Sequence, residues 1–160
     1  MEHLKVELPK QVNESSLDDI LKQLQLALQF SVKREKIALQ IEHENYIEKL
    51  IELFKRLEAD GKKDLKSLNK LFEIIKTIFL LNKNPLFEVL LSDDNLWSVI
   101  GMLEYESPIE LPTKCHRNYL KNISQFKQII KFNSQEIITK IHQTYRYAIS
   151  SLDKHRIPLF

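Results

Sequence analysis

The sequence predicts an all-α protein, and three observations carry that prediction. Only two glycines, Gly61 and Gly101, and five prolines occur in 160 residues, so the tight turns that punctuate strands are scarce. Leu, Ile, Lys, Glu and Gln dominate the composition, and all but Ile are good helix formers. Apolar residues recur at i, i+3, i+4 and i+7 over most of the chain. A hydrophobic share of 43% in a chain of this length supports one domain with a buried core rather than disorder.

Residues 1–14 contain Pro9 among mixed polar residues and read as an extended lead-in. Ser15 or Ser16 is the expected cap of the first helix, with Asp19 three residues after Ser16 as a variant capping box. Leu17, Ile20, Leu21, Leu24 and Leu28 form its stripe, and it ends near Phe30. The second helix spans about 31–42, and His43-Glu44-Asn45 breaks it. The third buries Ile47, Leu50, Ile51, Phe54 and Leu57, exposes Glu48, Glu52, Lys55 and Arg56, and closes at Asp60-Gly61. The longest helix follows, about 63–81. Asn82-Lys83-Asn84-Pro85 then turns the chain, with Pro placed to start a short helix over 86–91. Ser92-Asp93-Asp94 is the expected cap of a helix through Leu96, Trp97, Val99, Ile100 and Leu103, in which Trp97 is expected to pack in the core, a groove anchor being the alternative. Residues 104–113, with Pro108 and Pro112, form the main loop. Helices are expected over 115–123 and, after a Ser134 cap, through Ile137, Ile138, Ile141 and Tyr145.

These helices repeat. The apolar helix, acidic break and apolar helix around Asn45 recur around Asn95, 50 residues on, and the Leu17–Leu28 stripe recurs at Leu68–Phe79 with an offset of 51. The unit of three helices is the order of an armadillo-type repeat, slightly longer than its usual length of about 40–47 residues. Such units bury their apolar faces by stacking. The expectation is therefore an armadillo/HEAT-like right-handed helical solenoid segment of about two and a half repeats, with the domain over 15–146 and a divergent tail over 147–160.

No catalytic or cofactor motif stands out: there is no Gly-rich phosphate loop, G-x-S-x-G, H-E-x-x-H or paired-cysteine spacing. The five histidines include no i, i+4 pair, and Cys115, the single cysteine, excludes an intramolecular disulfide. Neither a catalytic residue nor a metal ligand nor a cofactor is expected. The amino-terminal residues do not read as a signal peptide, and the run Ile78–Leu81 is too short to span a bilayer, so no membrane association is expected and the protein is expected to be soluble. A formal net charge of +2 gives no general basic excess. The segment 114–146, with Lys114, Arg117, Lys121, Lys127 and Lys131 among Tyr119, Phe126 and Phe132, carries an alternative function, a helical nucleic-acid-binding domain. A solvated basic face over core aromatics is the preferred reading, and nucleic acid is not the expected partner.

Several collinear blocks resemble one family. They are Lys33-Arg34-Glu35-Lys36-Ile37-Ala38-Leu39, the run from Tyr46 to Phe54, the run from Phe79 to Val89, Val99-Ile100-Gly101-Met102-Leu103-Glu104-Tyr105-Glu106, His116-Arg117-Asn118-Tyr119-Leu120, the run from Gln125 to Ile130, and Lys140-Ile141-His142-Gln143-Thr144-Tyr145-Arg146. Together they resemble the Smek/falafel family, regulatory subunit 3 of serine/threonine protein phosphatase 4, over residues 8–146. The resemblance implies an armadillo-like region without catalytic residues that acts as a scaffold in a complex with the phosphatase catalytic subunit and a second regulatory subunit. It further implies targeting of phosphoprotein substrates, DNA-damage response dephosphorylation, and localisation in nucleus and cytoplasm. Family members begin with an EVH1-like domain that reads short Pro-containing motifs; that domain is not in this chain, so motif reading is not expected of it. The residues expected at a partner surface are Glu48, Glu52, Lys55, Arg56 and Ser98 on the third helix of each unit, with Glu104, Tyr105, His116, Arg117, His142 and Arg146 from the matched blocks.

Overall fold

The computed structural model describes residues 6–60, 64–107, 115–124 and, in the last segment, 134–137, 139–141 and 143. Among these the chain is all-helical. A 3-10 turn, Glu14–Ser16, leads into α1 (Leu17–Leu28), α2 (Ser31–His43) and α3 (Tyr46–Ala59); α4 (Leu65–Leu80), α5 (Asn84–Leu90) and α6 (Leu96–Met102) follow. Further along the chain, α7 (His116–Asn118) continues into a π-helical turn, Tyr119–Ile123. Residues 135–137, 139–141 and 143 are helical as well.

The packing order makes the molecule a helical solenoid. Helix α1 lies on α4, α2 on α5 and α3 on α6, so each helix of the first unit meets its counterpart in the second. The polar links between units keep the same period: Lys70 Nζ reaches Asp18 Oδ2 at 2.7 Å, 52 residues away, and Tyr105 Oη reaches Glu58 Oε1 at 3.0 Å, 47 residues away. Lys83 pairs with Glu35 across the α2–α5 seam.

One core runs through both units. It includes Leu17, Ile20 and Leu24 of α1, Tyr46, Ile47, Leu50 and Phe54 of α3, Leu68, Leu71, Ile75 and Ile78 of α4, and Val99 and Met102 of α6. The expected stripes of α3 and α4 are the faces that are buried. Helix α2 buries only Ile37, Ala38 and Ile41, and leaves Val32 and Leu39 exposed.

The helices differ from expectation in three places. The capping box lies one turn earlier than Ser16–Asp19: Asn13 Oδ1 accepts from Ser16 N at 3.1 Å while Ser16 Oγ accepts from Asn13 N at 3.0 Å. Ser92 does not cap α6. Its hydroxyl donates to Val89 O at 2.9 Å, and Asn95 Nδ2 donates to the same carbonyl at 3.0 Å, so both close α5. The equivalent Asn45 closes α2 through its backbone instead, in the left-handed region at φ 50°.

Trp97 is the third correction, being 41% exposed rather than in the core. Helix α6 is seven residues long and turns Ser98, Val99, Gly101 and Met102 inward. The small residues Ser98 and Gly101 let it approach its neighbours closely, and the bulky indole is left on the outer side, where Lys121 Nζ sits 4.7 Å from its ring centroid.

The residues before α1 are more than a lead-in. Val6 and Leu8 are buried at 3% and 2% exposure while Glu7 between them is exposed, the alternation of an extended strand. They join the same core as the helices.

Candidate functional site

Two regions gather the residues singled out by the sequence. The first is the outer face of α3. Its apolar stripe is buried, which leaves Glu48, Glu52, Lys55 and Arg56 exposed on one helix, as the 3.6-residue period requires. Arg56 Nη2 reaches Glu14 Oε1 at 2.9 Å, with side chains 63% and 50% exposed, a pair that solvent screens strongly. Val12, Lys49, Glu52, Leu53 and Arg56 line a shallow cleft of about 290 Å³ where the segment before α1 crosses α3.

The second region joins α3, α6 and α7 through Arg117. Its guanidinium meets two carboxylates. Nη1 donates to Glu58 Oε2 at 2.9 Å and Nη2 to Glu58 Oε1 at 2.5 Å; Nε donates to Glu104 Oε2 at 2.9 Å and Nη2 to the same oxygen at 2.6 Å. The Arg117 backbone N–H donates to Glu104 Oε1 at 2.7 Å. Hydrogen bonds from the guanidinium to Glu58 lead the effects that push the Arg117 pKa still higher than its ordinary value, so this group stays charged throughout. Tyr105 Oη supplies a further donor to Glu58, at 3.0 Å. Burial first, then the Glu58 charge, pushes the Tyr105 phenol up to about 12.

Aromatic rings close the cluster from below. Phe54 and Tyr105 meet edge to face with centroids 6.0 Å apart, and the Arg117 guanidinium lies 5.9 Å from the Phe54 centroid. A methyl group on Gly101 would stand 2.8 Å from Arg117 Nη1, 2.9 Å from its Cζ and 3.0 Å from Phe54 Cζ. Glycine here lets the guanidinium approach α6 closely, and any side chain would displace it. Asn69 of α4 donates to Tyr105 O at 3.2 Å and Glu106 O at 2.8 Å, fixing the chain beyond α6.

The cluster assigns roles to four residues of the matched blocks: Gly101, Glu104, Tyr105 and Arg117 form an internal latch. Ser98, Glu104 and Tyr105, expected at a partner surface, are 9%, 7% and 1% exposed, so their side chains face the interior. Arg117 is turned inward to its carboxylates. His116 stays exposed and, with Ile100, Leu103, Tyr119 and Leu120, lines an apolar cleft of about 340 Å³. His142 and Arg146 lie outside the described residues, as do Lys114, Lys127 and Lys131 of the basic segment. Within that segment Arg117 is neutralised, Lys121 covers Trp97, and Lys140 pairs with Glu136 at 2.7 Å.

Glu58 is the functional partner that sequence reasoning missed. Its signal is its place four residues after Phe54, on the buried side of α3, where a carboxylate needs a cation from elsewhere in the fold. Among the described residues no group of three His, Cys, Asp or Glu side chains is placed to hold a metal ion, and no helix is long and apolar enough to cross a membrane.

Comparison with known proteins gives this geometry a family. The model of the phosphatase 4 regulatory subunit 3 family matches residues 17–149, which contain α3 and the Arg117 cluster. The chain is 41% identical over 132 residues to the serine/threonine-protein phosphatase 4 regulatory subunit 3 of Drosophila melanogaster, a match covering 82% of this chain and 13% of that protein. It is 34% identical over 131 residues to Protein PPP4R3C1 of Mus musculus, covering 82% of this chain and 16% of that protein. The chain thus corresponds to less than a fifth of the length of these relatives. No solved structure matches it. A matching family model over most of the helical solenoid, joined by a relative of that name at 41% identity, establishes that the chain belongs to the phosphatase 4 regulatory subunit 3 family.

Proposed function

We propose that this chain is a non-catalytic docking segment of a protein phosphatase 4 complex, binding the phosphatase catalytic subunit and a second regulatory subunit through the outer face of α3. The observation that carries this reading is the division of labour between the two regions. The latch holds Gly101, Glu104, Tyr105 and Arg117 inside the fold, while the same solenoid stacking leaves Glu48, Glu52, Lys55 and Arg56 together on an exposed face. A rigid face carrying both charge signs suits recognition by complementary charge more than it suits chemistry. In this proposal the docked phosphatase is brought to phosphoprotein substrates, those of the DNA-damage response among them, in nucleus and cytoplasm.

Co-purification tests it. The tagged chain, expressed in cells, is expected to retain the phosphatase 4 catalytic subunit after washing at about 0.15 M salt, where exposed charges still interact over about 8 Å. Capture of other phosphatases at equal yield, or of none, overturns the reading.

A further inference from the structure

The segment before α1 is held in the manner of a bound peptide. Gln40 of α2 grips the backbone of Leu8 from both sides: its Oε1 accepts from Leu8 N at 2.8 Å, and its Nε2 donates to Leu8 O at 3.1 Å. The orientation of that amide is fixed by a third bond, from Nε2 to Glu44 Oε1 at 3.0 Å, since a carboxylate only accepts. The next carbonyl, Pro9 O, accepts from Tyr46 Oη at 2.8 Å, and Tyr46 is itself fully buried. Val6 and Leu8 enter the core as alternate residues, and at the far end Glu14 meets Arg56.

These contacts separate into two kinds. The bonds from Gln40 and Tyr46 go to main-chain atoms and read an extended backbone whatever its side chains. The buried positions of Val6 and Leu8, and the cation at Arg56, read side chains. An extended backbone held by hydrogen bonds, with alternate side chains buried, is a general mode of peptide capture. Gln40, Tyr46 and Arg56 lie inside the family match at residues 17–149, whereas the segment they hold lies ahead of it.

We propose that the α2–α3 face is a binding groove for a peptide extended over its first four residues, and that residues 6–14, which bend after Pro9, occupy it in cis. The partner it fits is a peptide of the same chemistry: two alternate aliphatic residues, a proline directly after the second, and a carboxylate about five residues further on. The cis segment crosses α3 beside Glu52, Leu53 and Arg56, so its seating also covers one edge of the charged face. A peptide in trans takes the groove when the segment lifts.

The test uses the full chain with Val6→Asp and Leu8→Asp together, which places two carboxylates at buried apolar positions and unseats the segment. A fluorescein-labelled peptide of residues 4–15 is titrated while anisotropy is read. The double variant is expected to bind it, a scrambled peptide is not, and wild type is expected to bind at least about tenfold more weakly because the groove is filled. Adding Gln40→Ala to the double variant is expected to cost about tenfold in affinity for the loss of two backbone hydrogen bonds. No binding to a double variant with wild-type helical circular dichroism overturns the proposal, as does equal binding to wild type. Amide hydrogen exchange of the wild-type chain decides independently of whether the variant folds. The Leu8 amide is expected to exchange through a local opening, at least about tenfold faster than the Leu50 amide of α3. Equal protection of the two makes residues 6–14 a fixed part of the core and overturns the proposal.

Discussion

Arg117 meets two carboxylates at once, and Tyr105 and a backbone N–H donate to the same carboxylates. Glu104 is the most enclosed of the three charged groups, with a side chain 6% exposed. Removing Arg117 leaves that carboxylate without its cation, and Arg117→Ala is expected to destabilise the chain by about 3 kcal/mol in urea denaturation. The Arg117 and Glu58 side chains retain 28% and 25% exposure, which keeps the loss at the lower end for an enclosed pair. A loss below about 1 kcal/mol would place Arg117 with ordinary surface ion pairs. Tyr105 adds a pH dependence. Its folded phenol keeps its proton to about 12, while the unfolded chain releases it near 10.0. The unfolded state then binds fewer protons, so stability falls as pH rises between these values and is unaffected below them. Tyr105→Phe is expected to lose stability less steeply from pH 10 to 12 in thermal melts, and an unchanged slope would contradict this cause.

At the scale of the element, α4 shows how a few local bonds fix a boundary. Asp64 accepts from Lys66 N at 3.2 Å, Ser67 N at 3.3 Å and Ser67 Oγ at 2.5 Å, satisfying orphan donors at the start of the longest helix among the described residues. The Ser67 hydroxyl is the main cause that holds the Asp64 carboxyl below its ordinary value of 3.8. A lowered folded value means that the cap contributes fully above 3.8 and is lost as pH falls through the folded value. Asp64→Ala is expected to cost about 1 kcal/mol near neutrality. The gap from wild type is expected to narrow below pH 3.8 in acid titration; a constant gap would point to helix propensity instead. Most elements were legible because their stripes are long: the buried faces of α3 and α4 follow from spacing alone. Helix α6 was less so, since seven residues make under two full turns and a stripe that short does not decide which side is buried. Ser98 and Gly101 took the inner side, and Trp97 the outer.

At the scale of the whole molecule, the repeat was readable because stacking demands it: α1 packs on α4, α2 on α5 and α3 on α6, and the buried stripe of α1 recurs in α4. The latch was half readable. Gly101, Glu104, Tyr105 and Arg117 stood out as residues of the matched blocks, but whether they faced a partner or the core depended on Glu58, 59 residues from Arg117. The grip of Gln40 on Leu8 was hidden for the same reason, spanning 32 residues with no local pattern to mark it. The docking proposal rests on what this packing leaves outside, the charged face of α3. Binding of purified phosphatase 4 catalytic and second regulatory subunits to the immobilised chain measures it directly. Lys55→Glu with Arg56→Glu is expected to weaken binding at least about tenfold, the scale of one lost interfacial charge pair. The control Lys33→Glu with Lys36→Glu on α2 is expected to leave it unchanged, with circular dichroism the same in all three. Equal affinity for wild type and the α3 variant would contradict the account.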